Sequence, residues 1–302
     1  MNEHFGGWPR VDWFKVGRAC PVPDTSELAL TIASISKLNS GVEMPLLGLG
    51  VYQTSPGRAT EEAVKFALKI GYRHIDTASL YGNEESVGRA VRESGVPREQ
   101  VFVTTKLWNS DHGYEAALHA FEKSQRRLGL GYVDLYLIHW PVSQLRDESW
   151  RALVELQRRG SCRAIGVSNY TVRHLDELLG GSSVVPDVDQ VEFNPFLYQE
   201  ELLRYCEEKR IQLEAYSPLT RGHRLRDPVV LEVAKTYSKS PAQILIRWSL
   251  QHGLVVIPKS ARPERIKENS EVFDFEISAP DMSRLDSLGE NLHMDWDPTD
   301  AL

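Results

Sequence analysis

Residues 73–94 read RHIDTASLYGNEESVGRAVRES, and this stretch holds one complete structural unit. Arg73–Asp76 is a short strand-like run, the residues that follow read as loop, and Glu84–Ser94 carries an amphipathic helical pattern. The unit brings Asp76 to a strand end and Tyr81 to the loop five residues later.

The same order of run, polar loop and helix recurs on both sides. The apolar runs are Leu46–Gly50, Arg73–Asp76, Val101–Lys106, Val133–His139, Cys162–Ser168, Val188–Glu192, Gln212–Ser217 and Leu254–Pro258. Helical patterns at Thr60–Ile70, Tyr114–Leu128, Ser149–Arg159 and Glu200–Lys209 lie between them. Eight alternations, with strands too apolar to leave one face in water, imply a closed parallel (β/α)8 barrel, α/β in class. From Asp76 to Lys106 is 30 residues, then 33 to His139 and 29 to Ser168, each the length of one strand–helix unit. The step from Tyr216 to Lys259 is 43 and holds two helical patterns, Pro228–Tyr237 and Pro241–Gln251, so one helix is inserted. Leu30–Leu38 and Gly41–Met44 flank Asn39-Ser40 as a β-hairpin expected to plug the barrel bottom. The rival doubly wound sheet lacks its GxGxxG fingerprint, because Gln53 stands where the third glycine after Gly48 and Gly50 belongs.

The 302 residues are 41% hydrophobic and 25% charged, with a formal net charge of −7, which argues against a general nucleic-acid binder. Cys20, Cys162 and Cys206 show no metal-ligand or disulfide spacing, so no metal site is expected and free thiols in a reducing cytoplasm are. No apolar run approaches the ~18 residues of a membrane span. Residues 1–28, with Trp8 and Trp13, lack lasting periodicity and read as an irregular or loosely docked extension. Residues 29–302 read as one barrel domain.

Active sites of such barrels lie at the C-terminal strand ends. There the sequence puts Asp76, Tyr81, Lys106, His139, Ser168, Asn169, Gln190, Glu192, Tyr216, Ser217, Lys259 and Ser260. A tyrosine hydroxyl, ordinarily at ~10, is a poor proton donor or acceptor at neutral pH, and a nearby lysine can lower it by ~1–3 units. Asp76 supplies the counter-charge that a buried lysine needs. Asp76–Lys106–Tyr81 is therefore a coherent proton relay, with His139 placed to orient a carbonyl oxygen.

From about Leu30 to Pro298 the chain resembles the aldo-keto reductases. The matching motifs are Gly71–Ala78, Tyr81-Gly82-Asn83-Glu84, Thr105-Lys106-Leu107-Trp108, Ile138-His139-Trp140-Pro141 and Gly166-Val167-Ser168-Asn169. Gln190-Val191-Glu192, Tyr216-Ser217-Pro218-Leu219 and Ile257-Pro258-Lys259-Ser260 continue the series. The resemblance implies NADPH-dependent carbonyl reduction, with Tyr81 as proton donor, Lys106 and Asp76 tuning it, and His139 aligning the substrate. It implies that Tyr216 stacks on nicotinamide, that Ser168, Asn169 and Gln190 bind its carboxamide, and that Ser217 and Leu219 meet the pyrophosphate. Lys259, Ser260 and Arg265 match the 2′-phosphate site, and Glu268 and Asn269 lie near the adenine. Two cations, a hydroxyl and a helix N-terminus suit a dianion, so NADPH is expected over NADH. One of Arg221, Arg224 and Arg226, in the loop after Leu219, is expected to clamp the pyrophosphate.

Tyr52, Trp108 and Trp140 should wall the substrate pocket, with Val51 and Asn109 as contributors. Val142–Glu148 and the tail after Leu288 are short. In this the chain is similar to compact family members, the glyoxal and diketo-gluconate reductases and prostaglandin F synthase-like enzymes, and a more open pocket and a monomer are expected. Two other functions stay open on the sequence: an NADPH-sensing regulatory barrel with little turnover, and a structural role.

Overall fold

The computed structural model describes residues 30–142 and 144–301. The expected extension over residues 1–28, with Cys20, lies outside the described residues.

β1 (Ile35–Lys37) and β2 (Glu43–Pro45) form an antiparallel hairpin, with Ser36 opposite Met44. Its turn closes through the Gly41 N–H to the Leu38 carbonyl, with Gly41 at φ +82°, where L-residues are strained. Eight parallel strands follow in chain order: β3 (Leu49–Gly50), β4 (His74–Asp76), β5 (Phe102–Leu107), β6 (Val133–Ile138), β7 (Cys162–Ser168), β8 (Val188–Glu192), β9 (Gln212–Tyr216) and β10 (Val255–Val256). The hairpin sits at the barrel bottom. The Ser40 N–H donates to Asp187, just before β8, and Ser36 bonds Gln212 at the start of β9.

The first and last strands meet, so the sheet is closed. The Val256 N–H donates to the Leu46 carbonyl at 2.8 Å, and the Gly48 N–H to the Val256 carbonyl at 2.9 Å. Bridges Leu47–Val256 and Gly50–Lys259 complete the seam. The two glycines that fail as a dinucleotide fingerprint have a packing reason here. A Cβ on Gly48 would lie 2.6 Å from His74 Nδ1, and one on Gly50 would lie 3.0 Å from the Ile257 carbonyl oxygen.

The helices are α1 (Arg58–Lys69), α2 (Glu84–Glu93), α3 (Tyr114–Leu128), α4 (Arg146–Arg158), α5 (Val172–Gly181), α6 (Glu200–Lys209), α7 (Pro228–Tyr237), α8 (Pro241–Gln251), α9 (Pro263–Ser270) and α10 (Ala279–Asp286). On α3, Ala117, Ala120, Phe121, Ser124 and Leu128 form the buried stripe against the barrel. The inserted helix is α7, started by Asp227, whose carboxylate caps Val229 and Val230 ahead of Pro228. Helix α4 begins three residues earlier than its apolar pattern, since Asp147 and Glu148 suit a helix first turn.

Every residue of β5, β6 and β8 is buried. Part of this interior is polar: His74, Asp76, Thr104, Lys106, Gln190 and Glu214 are all at most 2% exposed.

Candidate active site

The C-terminal strand ends open into a cavity of about 1030 Å³. Strand β4 brings Asp76 to its floor, and a short 3-10 turn over Ser79–Tyr81 brings Tyr81 to its edge. Lys106 arrives from β5, fully buried beneath the cavity. Its Nζ donates to Asp76 Oδ1 at 2.7 Å, to Asp76 Oδ2 at 2.8 Å and to the Thr77 carbonyl at 2.9 Å, and lies 3.4 Å from the Tyr81 hydroxyl. His139 follows β6, with its ring centroid 5.8 Å from that of Tyr81. The four residues of the expected relay therefore meet.

Their electrostatics differ from expectation in one respect. Burial, and then the Asp76 carboxylate, push the Tyr81 hydroxyl well above its ordinary value. Asp76 grips the lysine with both oxygens and offsets the cation that would otherwise favour phenolate. Tyr81 is held as a protonated phenol. Burial, and then Lys106, hold His139 well below its ordinary value, so the ring is neutral at neutral pH.

The other sequence-picked residues extend along the cavity. Ser168, Asn169, Gln190 and Tyr216 line it next to the relay. The Tyr216 hydroxyl donates to Asn169 Oδ1 at 2.8 Å, and Asn169 Nδ2 donates to the His139 carbonyl at 2.9 Å. Asn169 and Ser217 both adopt positive φ. Ser217 and Leu219 line the middle, and Lys259, Ser260, Arg265, Glu268 and Asn269 the far end. Lys259 and Arg265 are exposed and make no ion pair among the described residues, while Ser260 is buried between them at the start of α9. Among the described residues no cluster of His, Cys, Asp and Glu could hold a metal, and no helix is long and apolar enough to cross a membrane.

Tyr52, Trp108, Trp140 and Asn109 line the mouth; Val51 is fully buried behind it. Of the three loop arginines only Arg221 reaches the cavity. Arg224 pairs with Glu290 and lies over the Phe196 ring.

Several lining residues went unread in the sequence. Gln53 and Leu80 flank Tyr52 and Tyr81, and Ser240, Pro241 and Ala242 open α8. The Ser240–Gln243 capping box marks that helix start, but nothing local says that it faces a cavity. Asp295 and Trp296 come from the short tail. The tail turns back over the mouth instead of leaving it open: Glu192 accepts the Met294 and Asp295 amides, Arg221 pairs with Asp295, and Trp296 packs 5.4 Å from Trp140.

A family model described as "Aldo/keto reductase family" matches residues 47–290. The chain belongs to the aldo/keto reductase family. Similar members of this family include the glyoxal reductase of Bacillus subtilis, 52% identical over 266 residues, covering 88% of this chain and 96% of that protein. The 9,11-endoperoxide prostaglandin H2 reductase of Trypanosoma cruzi is 48% identical over 264 residues, covering 86% of this chain and 93% of that one. A crystal structure of a Gox0644 mutant in complex with NADPH matches with TM-score 0.84 and 42% identity, covering 89% of this chain and 98% of that one.

Proposed function

We propose that this aldo/keto reductase reduces aldehydes and ketones to alcohols with NADPH, and that Tyr81 gives the proton. The observation that carries this reading is Lys106 Nζ, set between both Asp76 oxygens and the Tyr81 hydroxyl on a cavity floor. A phenol held protonated there can donate as negative charge grows on a carbonyl oxygen. The neutral His139 ring orients that oxygen without adding a competing charge.

The cavity fits the cofactor. Its volume suits a dinucleotide with a small substrate. Two cations that make no ion pair among the described residues flank a buried hydroxyl at one end, and an aromatic ring with amide groups lies at the other. Tyr216, Ser168, Asn169 and Gln190 would hold nicotinamide, and Ser217 and Leu219 the pyrophosphate. Lys259, Ser260 and Arg265 would hold the 2′-phosphate, with Glu268 and Asn269 at the adenine. NADPH bound there supplies the hydride. The protein's residues position the carbonyl, exclude water and deliver the proton. The relative solved with NADPH supports the cofactor, and the relative named glyoxal reductase supports the substrate class.

Tyr52, Trp108 and Trp140 offer flat apolar walls, which favour glyoxals, aromatic aldehydes and diketones. The reading includes a single barrel domain over residues 29–302 and a monomer in the cytoplasm. The buried free thiols of Cys162 and Cys206 fit a reducing compartment.

The test is NADPH oxidation with methylglyoxal, phenylglyoxal and 4-nitrobenzaldehyde, beside Tyr81→Phe and with NADH as control. Turnover that falls about 100-fold or more in the variant is expected. Tight NADPH retention with no turnover would instead support an NADPH-sensing barrel.

A further inference from the structure

A polar column continues below the relay into the barrel. Asp76 Oδ2 accepts from Gln190 Nε2 at 2.8 Å, and the same nitrogen donates to Glu214 Oε2 at 2.8 Å. Glu214 Oε1 lies 3.6 Å from His74 Nε2, which is 3.1 Å from Thr104 Oγ1. Glu214 and His74 are both fully buried, and the relay uses neither.

An amide has one two-hydrogen donor and one acceptor. Both hydrogens of Gln190 are taken by carboxyl groups, so its carbonyl oxygen is the end left for the cavity that Gln190 lines. Without the Glu214 acceptor, one amide hydrogen would be buried unpaired, and the amide would lose the bond that fixes its orientation.

We propose that Glu214 is a positioning residue: through Gln190 it fixes the amide that braces Asp76 and faces the nicotinamide carboxamide, and its carboxyl proton keeps a second negative charge away from Asp76. This rests on the reductase reading above. The groups facing Glu214 are His74 and Asp76 from β4, Lys106 from β5 and the neutral Gln190 from β8, while β10 brings only valines. Burial, and then Asp76, raise the Glu214 carboxyl far above the carboxylate range, which agrees with a neutral acid there. Burial and Lys106 keep His74 neutral as well. When Glu214 ionises at alkaline pH, its charge disfavours loss of the Tyr81 proton, and reduction slows.

The experiment is single-turnover oxidation of bound NADPH by 4-nitrobenzaldehyde from about pH 6 to about pH 10, in wild type, Glu214→Gln, Glu214→Leu and Tyr81→Phe. The wild-type rate is expected to fall along an alkaline limb that Glu214→Gln lacks. Glu214→Leu should be about 10-fold to 100-fold slower, and Glu214→Gln, which keeps an acceptor oxygen, should recover most of that loss. A role in folding alone would not move the pH profile. An unchanged alkaline limb in Glu214→Gln, or a wild-type rate in Glu214→Leu, overturns the assignment. If Glu214→Leu does not fold, the Glu214→Gln profile still decides. Absence of NADPH oxidation in wild type at every pH would overturn the reductase reading itself, and a wild-type rate in Tyr81→Phe would overturn Tyr81 as its proton donor, whatever the Glu214 variants do.

Discussion

Glu192 holds the amide of Met294 with both carboxylate oxygens, each at 2.9 Å. The Asp295 N–H adds a third contact at 3.2 Å. One side chain at the end of β8 thus anchors the tail across the cavity mouth. Burial outweighs these bonds and pushes the Glu192 carboxyl up to about 7, from an ordinary 4.5. The folded protein therefore holds this proton more tightly than the unfolded chain does. The stability it contributes is full below the ordinary value and is lost as pH rises through about 7. The difference corresponds to roughly 3 kcal/mol. Denaturant unfolding at about pH 5 and about pH 8 should show a smaller change in Glu192→Gln than in wild type. Equal pH dependence in both would rule this out.

Lys106 and Asp76 form a buried pair, so removing either member strands a charge. Lys106→Met should destabilise the fold by about 3–5 kcal/mol and cut turnover as well. Thermal unfolding beside kcat checks it. A lost kcat at wild-type Tm would mean that the pair matters for chemistry alone.

Arg265 and Lys259 line the cavity and make no ion pair among the described residues. Arg265→Ala should weaken NADPH binding by about 10-fold to 100-fold and leave NADH nearly unchanged. Titration of both nucleotides by fluorescence measures it. Equal losses would mean that the arginine does not meet the 2′-phosphate.

Trp296 is 51% exposed, and its other face lies beside Trp140. Removing it takes away one aromatic wall but no part of the relay. Trp296→Ala should raise KM for 4-nitrobenzaldehyde by about 3-fold to 10-fold and change methylglyoxal little. The comparison of the two KM ratios is the measurement. Equal effects on both substrates would show that the tail only shields the site from water.

The eight strands were legible because each is a short apolar run before a polar loop, and Val188–Glu192 matches the observed strand at both ends. The relay was legible for the same reason: Asp76, Lys106 and His139 each close such a run. Trp296 and Asp295 were not, because a tail without periodicity carries no local sign of where it returns. Its path depends on Glu192, about 100 residues earlier. The effect of Lys106 on Tyr81 is hidden from the sequence for a related reason. Sequence brings the cation near, but only the two contacts from Asp76 show how far its charge is offset.

The seam at Gly48 carries a consequence for the order of folding. The strands that join there lie about 200 residues apart in the chain, so their pairing closes one of the longest loops in the molecule. His74 packs against Gly48 at that seam, and the same histidine lies in the lower part of the polar column beneath Asp76. A barrel with seven strands in place and the eighth undocked would leave that column open to water. Recovery of activity during refolding should then follow closure of this last joint, later than the return of helical signal.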